Sequence, residues 1–260
     1  MAKATYNGRS SPIKTTLTEQ TYEILKERIL DRGLAPGTRL NIDALTRDLG
    51  VSTSPLREAL SKLEAERLVV TELYSGYSVA PEPTLDYLRD LIDFRTMLEG
   101  HCALVGAPRK AASVLNELRA ATRQMSAAKQ IGTHYKQYRK FVAADQRFHQ
   151  VIVESAGNQV ISDTYRGMNA ILLQARLYLY RSGGRARAGE VAEEHARILA
   201  AFEAGDGPEA ALAIREHLEG GKRRLLSGNE ASAPANDVEA STAQKPAARE
   251  RSRRTLDRTS

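Results

Sequence analysis

Between Leu17 and Val79, helix-stopping residues recur so closely that only short helices fit, and two short strands follow the last of them. Apolar residues at helical spacing (Tyr22, Leu25, Ile29, Leu30) predict a first helix over Leu17 to Arg32, stopped by Gly33 ahead of a Pro36-Gly37 turn. Asn41 is the expected N-cap of a short second helix bearing Leu45 and Leu49, which Gly50 closes. A third helix starts at Ser52 or Ser54, with Pro55 in its first turn, where a missing N–H costs nothing. It turns Leu56, Leu60, Leu63 and Leu68 toward a core. Val69-Val70-Thr71, a turn at Tyr74-Ser75-Gly76, and Tyr77-Ser78-Val79 then read as a hairpin.

This order of elements is the plan of a winged helix-turn-helix, whose recognition helix can enter a DNA major groove. Residues 15–80 form that unit, and Pro81-Glu82-Pro83 is a stiff linker, since prolines resist both helix and sheet. Residues 84–227 read as a run of amphipathic helices without a strand, so the fold class is mainly α. The polar arm 1–14 and the Ala/Ser/Pro/charge-rich tail 228–260 are expected to be disordered, because neither can bury enough apolar surface to offset its ordering entropy. The lone Cys102 fits a reducing compartment. The stretch MAKATYNGRSSPIK has no apolar run, so no secretory leader is expected, and the most apolar stretch, Met168 to Tyr180, is too short to span a bilayer and contains Arg176. A cytoplasmic protein with no membrane partner is expected.

The net charge of +6 suggests nucleic acid, but residues 15–80 hold eight Lys/Arg against ten Asp/Glu. Bulk charge therefore does not argue for DNA binding, and specific positions must. Gly33-Leu34-Ala35-Pro36-Gly37-Thr38-Arg39-Leu40, Leu49-Gly50-Val51-Ser52, Ser54-Pro55-Leu56-Arg57-Glu58-Ala59-Leu60 and Leu63-Glu64 together resemble the signature of the GntR family of winged-helix regulators. The resemblance implies that Ser52, Thr53, Ser54 and Arg57 meet double-stranded operator DNA, and that Gly76 is the wing-tip glycine. An arginine can hold guanine or phosphate with two hydrogen bonds, while hydroxyls and a helix N-terminus suit phosphate oxygens. The bland alternative pairs Arg57 with Glu58 or Glu64 on a solvated face; Arg39 divides evenly between a carboxylate and a phosphate. Two positions depart from the family pattern: Thr53 where arginine is usual, and Arg67 where glycine usually ends the recognition helix.

Further along lie Asp145 and His149, four apart and so on one helical face, then Glu194-His195 and His217. Three imidazoles and a carboxylate suit a divalent transition metal, zinc first, with nickel or manganese as alternatives. Singly, each histidine is more often a surface or capped residue than a ligand. The pattern Asp145-x-x-Phe148-His149, Glu194-His195-x-x-Ile198 and His217, with Asn158 and Gly205-Asp206, resembles the FCD ligand-binding domain of the same family. That resemblance implies a homodimeric repressor whose helical domain anchors a small carboxylic-acid effector on the metal. Arg95 resembles a family arginine that faces the pocket, with a salt bridge to Glu99 as the equal alternative, and Arg176 is a weaker candidate of the same kind. The rival from another class is a metal-dependent hydrolase using the same Asp/His site, with Glu194 as its base.

Overall fold

The structure, a computed structural model, describes residues 16–73, 76–127, 134–171, 173 and 188–227. The expectations for the arm 1–14, the tail 228–260 and Arg176 lie outside these residues.

The first unit is built from α1 (Leu17–Leu30), β1 (Arg39–Leu40), α2 (Ile42–Leu49), α3 (Thr53–Ala65), β2 (Val69–Glu72) and β3 (Gly76–Val79). Local capping chemistry sets its boundaries. Thr16 Oγ1 accepts from the Glu19 N–H, Asn41 Oδ1 accepts from the Ala44 N–H, and Gly50 ends α2 in the left-handed region at φ 65°. Leu25, Leu56, Ala59, Leu60, Leu63 and Leu68 are fully buried between α1, α3 and the sheet. The sheet is antiparallel in the order β1-β3-β2, with Leu40 opposite Tyr77 and Val69 opposite Val79. This is a winged helix-turn-helix with one strand, β1, beyond the expected hairpin.

The end of α1 differs from expectation. Arg32, at φ 59°, takes the left-handed turn expected of Gly33, and the Leu34 N–H reaches back to the Arg28 carbonyl at 2.9 Å. Arg67 does the same after α3, also at φ 59°. A side chain there crowds its own backbone at a cost of roughly 1–2 kcal/mol, part of which a glycine returns through its larger unfolded-state entropy. Arg67→Gly is therefore expected to raise stability by about 0.5–1 kcal/mol, read as a higher melting temperature. An unchanged or lowered melt would mean that the Arg67 to Tyr87 hydrogen bond (3.1 Å) outweighs the strain.

Beyond residues 80–84, which carry no regular structure, come α4 (Leu85–Gly106), a 3-10 turn (Ala107–Arg109), α5 (Ala112–Ala127), α6 (Tyr135–Ser155), α7 (Gln159–Met168), α8 (Ala188–Ala204) and α9 (Gly207–Ser227). Their apolar faces meet around Leu88, Ile92, Leu118, Phe148, Ile152, Ile198, Phe202 and Ile214, all essentially inaccessible to solvent. One glycine sets the spacing that matters for the site. A Cβ on Gly106 would sit 1.8 Å from Ser155 Oγ, so α4 and α6 approach closely only because position 106 has no side chain. No helix among the described residues is long and apolar enough to cross a membrane.

The two units touch along α1 and α6. His134 occupies the N-cap of α6 but makes no side-chain cap bond; instead Asp31, at the C-cap of α1, accepts from the Tyr135 N–H at 2.6 Å. Arg139 pairs with Glu23 at 3.2 Å, Arg32 pairs with Glu82, and Asn169 Nδ2 donates to the Ala65 carbonyl at 2.9 Å.

Candidate metal centre and nucleic-acid interface

Helix α6 contributes Asp145 and His149, α8 contributes His195, and α9 contributes His217. One ligand atom from each lies within 4.8 Å of the others, and all three histidines are buried. That span suits a mononuclear site, in which opposed ligands bonded at about 2.1 Å stand roughly 4.2 Å apart. The structure thus brings together four residues that the sequence scatters over more than seventy positions.

Hydrogen bonds on the outer edges of the rings define which nitrogen faces inward. His149 Nδ1 lies 2.6 Å from Glu99 Oε2, His195 Nδ1 lies 2.7 Å from the Val191 carbonyl oxygen, and His217 Nδ1 lies 2.7 Å from Glu194 Oε2. A carbonyl or ionised carboxylate can only accept, so each Nδ1 carries the proton and each Nε2 presents a lone pair. These lone pairs converge. His217 Nε2 and His149 Nε2 are 3.2 Å apart, and His195 Nε2 is 3.0 Å from Asp145 Oδ1. His195 Nε2 is also buried with no hydrogen bond among the described residues, its carboxylate neighbour lying out of hydrogen-bond geometry. Converging lone pairs and a carboxylate repel one another in a buried space unless a cation sits among them, so the donor set fits a divalent transition metal.

The electrostatics agree with ionised acids and a neutral His217. Burial would raise Asp145, but the adjoining His149 and His195 rings hold it well below the usual carboxylate range. Burial likewise opposes ionisation of Glu99, yet Arg95 and His149 hold it down at about 2. Burial and the adjacent His195 push His217 down to about 4, against the pull of Glu194. Burial lowers His149, but Glu99 outweighs it and raises the ring's affinity for a proton; the same field makes Nε2 a better donor to a cation.

Arg95, offered by the sequence either to an effector or to Glu99, is buried and donates from Nε to Glu99 Oε1 at 2.7 Å. The Glu99 link to His149 escaped the sequence reading, because nothing in the residues announces a contact fifty positions apart. Glu194, cast as a base in the enzyme reading, accepts from His217 and from both terminal nitrogens of Arg224 at 2.7 and 2.9 Å. Burial opposes this, but those partners hold its carboxyl at about 2, so it takes up no proton near neutrality. Glu194 sits behind the His217 ring, on its Nδ1 edge and away from the converging Nε2 atoms, so the hydrolase alternative's base does not face the site. His101 and His134 are exposed and lie outside the cluster.

At the other end of the chain, Ser52, Thr53, Ser54 and Arg57 are exposed together on the first turns of α3. Ser52 makes no side-chain cap bond. Arg57 makes no ion pair among the described residues. Its neighbour Glu58 is turned away, accepting from Thr18 Oγ1 at 2.8 Å and Ser54 Oγ at 3.4 Å. Arg39 is likewise exposed without an ion pair among the described residues. Gly76, at φ 78° with open space where a Cβ would stand, begins β3 at the hairpin.

Comparison with known proteins places both halves. Residues 17–79 match the model of the gntR family of bacterial regulatory proteins, and residues 90–220 match the FCD domain. The chain is 28% identical over 205 residues to the HTH-type transcriptional repressor RspR of Escherichia coli, covering 78% of this chain and 86% of that protein. It is 26% identical over 205 residues to a probable D-xylose utilization operon transcriptional repressor of Paenarthrobacter nicotinovorans, covering 79% and 87%. Among solved structures it is similar in fold to a putative GntR transcriptional regulator from Rhodococcus sp. RHA1, with a TM-score of 0.62 at 23% identity over 81% of this chain and 97% of that one. Escherichia coli McbR/YncC gives the same TM-score at 21% identity, covering 83% and 100%.

Proposed function

The chain belongs to the gntR family of bacterial regulatory proteins and carries an FCD domain, and from that premise we propose a repressor that senses a small carboxylic acid at a metal held by Asp145, His149, His195 and His217. It is a transcription regulator, not an enzyme. The observation that carries the sensor reading is the convergence of three imidazole lone pairs on one carboxylate, each ring fixed from behind by an acceptor. Zinc suits the nitrogen-rich set best, with nickel and manganese as alternatives. When bound, such an ion supplies a Lewis-acidic anchor for an effector carboxylate. The protein works in the cytoplasm, as a homodimer placing one α3 in each half of a near-palindromic operator, with half-sites about 34 Å apart. Ser52, Thr53, Ser54 and Arg57 face the major groove, and Gly76 lets the wing approach the minor groove.

Coupling between the two sites runs along α6. Its first N–H is held by Asp31 of α1, and ten residues on, about 15 Å along the axis, it presents Asp145 to the metal site. A shift of α6 on ligand binding therefore moves α1 and, packed on it, α3. The double variant Asp31→Ala/Glu23→Ala removes both polar α1–α6 tethers among the described residues while leaving both sites intact. It is expected to leave ligand-free operator affinity within a few-fold and to reduce the acid's effect on that affinity severalfold, as measured by gel-shift titrations with and without the acid. An undiminished response would exclude this route.

The reading as a whole is tested on the full chain by elemental analysis followed by thermal-shift titration with zinc and a panel of mono- and dicarboxylic acids. A native-state ligand at a hundred times its Kd adds about 2.7 kcal/mol, a rise of several degrees. If neither zinc, nickel nor manganese copurifies or shifts the melt, the sensor half of the proposal fails.

A further inference from the structure

Glu99 takes three buried hydrogen bonds, and their division between its two oxygens is unequal. Oε1 accepts from Arg95 Nε at 2.7 Å and from the Tyr165 hydroxyl at 2.8 Å; Oε2 accepts from His149 Nδ1 at 2.6 Å. All four side chains are buried, so none of these groups can turn to water instead. Building on the metal reading above, we infer that Glu99 is a positioning residue that selects the metal-binding tautomer of His149, and that Arg95 fixes Glu99 in the orientation that does so.

The argument turns on what an amide of the same shape would do. A glutamine at position 99 has one accepting oxygen and one donating nitrogen. Pointing its oxygen at His149 would put the NH2 against Arg95, which has no lone pair to offer. Pointing its oxygen at Arg95 and Tyr165 satisfies both, and puts the NH2 against His149 Nδ1. Imidazole can answer this where guanidinium cannot: the proton moves from Nδ1 to Nε2, and Nδ1 becomes the acceptor. That proton then occupies the nitrogen facing Asp145, His195 and His217, and the ligand is lost without any change of shape.

Glu194 supplies the contrast. Its Oε2 accepts from His217 Nδ1 and from Arg224 Nη2, while Oε1 accepts only from Arg224 Nη1 among the described residues. An amide there can keep its oxygen on both His217 and Arg224 Nη2, losing only the Arg224 Nη1 bond, and Glu194 is a quarter exposed, so its NH2 can turn to water. The two histidines thus have outwardly similar partners of unequal consequence: the His149 tautomer depends on a carboxylate, and the His217 tautomer does not.

The test uses the full-length chain and its Glu99→Gln and Glu194→Gln variants. Long-range proton–nitrogen spectra of 15N-histidine-labelled, chelator-treated protein report the tautomers, and competition with a chromophoric chelator reports zinc affinity. At a pH where the ring is neutral, wild type is expected to show His149 protonated at Nδ1. Glu99→Gln is expected to show it protonated at Nε2 and to lose 10–100-fold in zinc affinity with an unaltered fold, whereas Glu194→Gln stays within a few-fold. A His149 signal at Nε2 in wild type overturns the inference, which guards against a variant that fails to fold. So does a Glu99→Gln protein that keeps the Nδ1 tautomer or wild-type zinc affinity. Should wild type bind no zinc at all, the sensor reading falls, while the tautomer comparison still decides the role of Glu99.

Discussion

Replacing His149 with alanine is expected to empty the metal centre and silence the response to acid. Each of the other ligands comes from a separate element or, for Asp145, from one turn away on α6, so no further metal-ligating side chain among the described residues stands ready to take the vacated place. Outer-sphere substitutions cost 10–100-fold in metal affinity, and loss of a direct ligand should exceed that. The change also leaves Glu99 with Arg95 and Tyr165 but without His149, and opens a small void in a fully buried region. A stability loss of about 1–3 kcal/mol is therefore expected in the metal-free protein, in addition to the lost metal contribution. The measurement is metal content per chain after dialysis against a metal buffer, with the melting temperature recorded with and without zinc. The exposed His101 serves as the control, since His101→Ala should change neither. A His149→Ala protein that retains stoichiometric metal would place the site elsewhere. Operator binding in the absence of acid should survive, because among the described residues the metal-site contacts involve neither α3 nor the hairpin.

What the sequence made legible divides by the range of the physics involved. Asn41, Gly50 and Pro55 act within a turn of themselves, and the helices they bound were readable for that reason. The strand β1 was not, since two residues are too few to show alternation and Arg39-Leu40 becomes a strand only by pairing with Tyr77 and Ser78. Gly33 was expected to end α1 by its own conformational freedom, yet tertiary packing assigns the left-handed turn to Arg32 and, after α3, to Arg67. Asp145 and His149 could be paired from their spacing. Adding His195 and His217 needed the family resemblance, because only the packing of α8 on α5 and of α9 on α4, both of which pack on α6, brings them near. The role of Glu99 was out of reach. It depends on the docking register of α4 against α6, set by the missing side chain of Gly106 beside Ser155.

Arg57→Ala should cost the protein its operator while leaving its fold untouched. The guanidinium is exposed, makes no ion pair among the described residues, and contributes nothing to the core, which α3 builds from Leu56, Ala59, Leu60 and Leu63. Alanine is at least as good a helix former as arginine, so the melting temperature should stay where it is. A two-bond contact to guanine is worth about 1–3 kcal/mol, so specific affinity should fall roughly 5- to 150-fold at fixed salt. The segment around Arg57 is formally acidic, with eight basic against ten acidic side chains over residues 15–80. It has little nonspecific attraction to fall back on, and Thr53 stands where the family's usual arginine would share the load. The form of the loss identifies the contact. If Arg57 reads a base, the preference for operator over random DNA collapses and discrimination is lost at one position per half-site. If it grips phosphate, both DNAs weaken alike and the salt slope drops by about one. Gel-shift titrations at several salt concentrations separate these outcomes, and wild-type affinity at every salt would mean that α3 does not present this face to DNA.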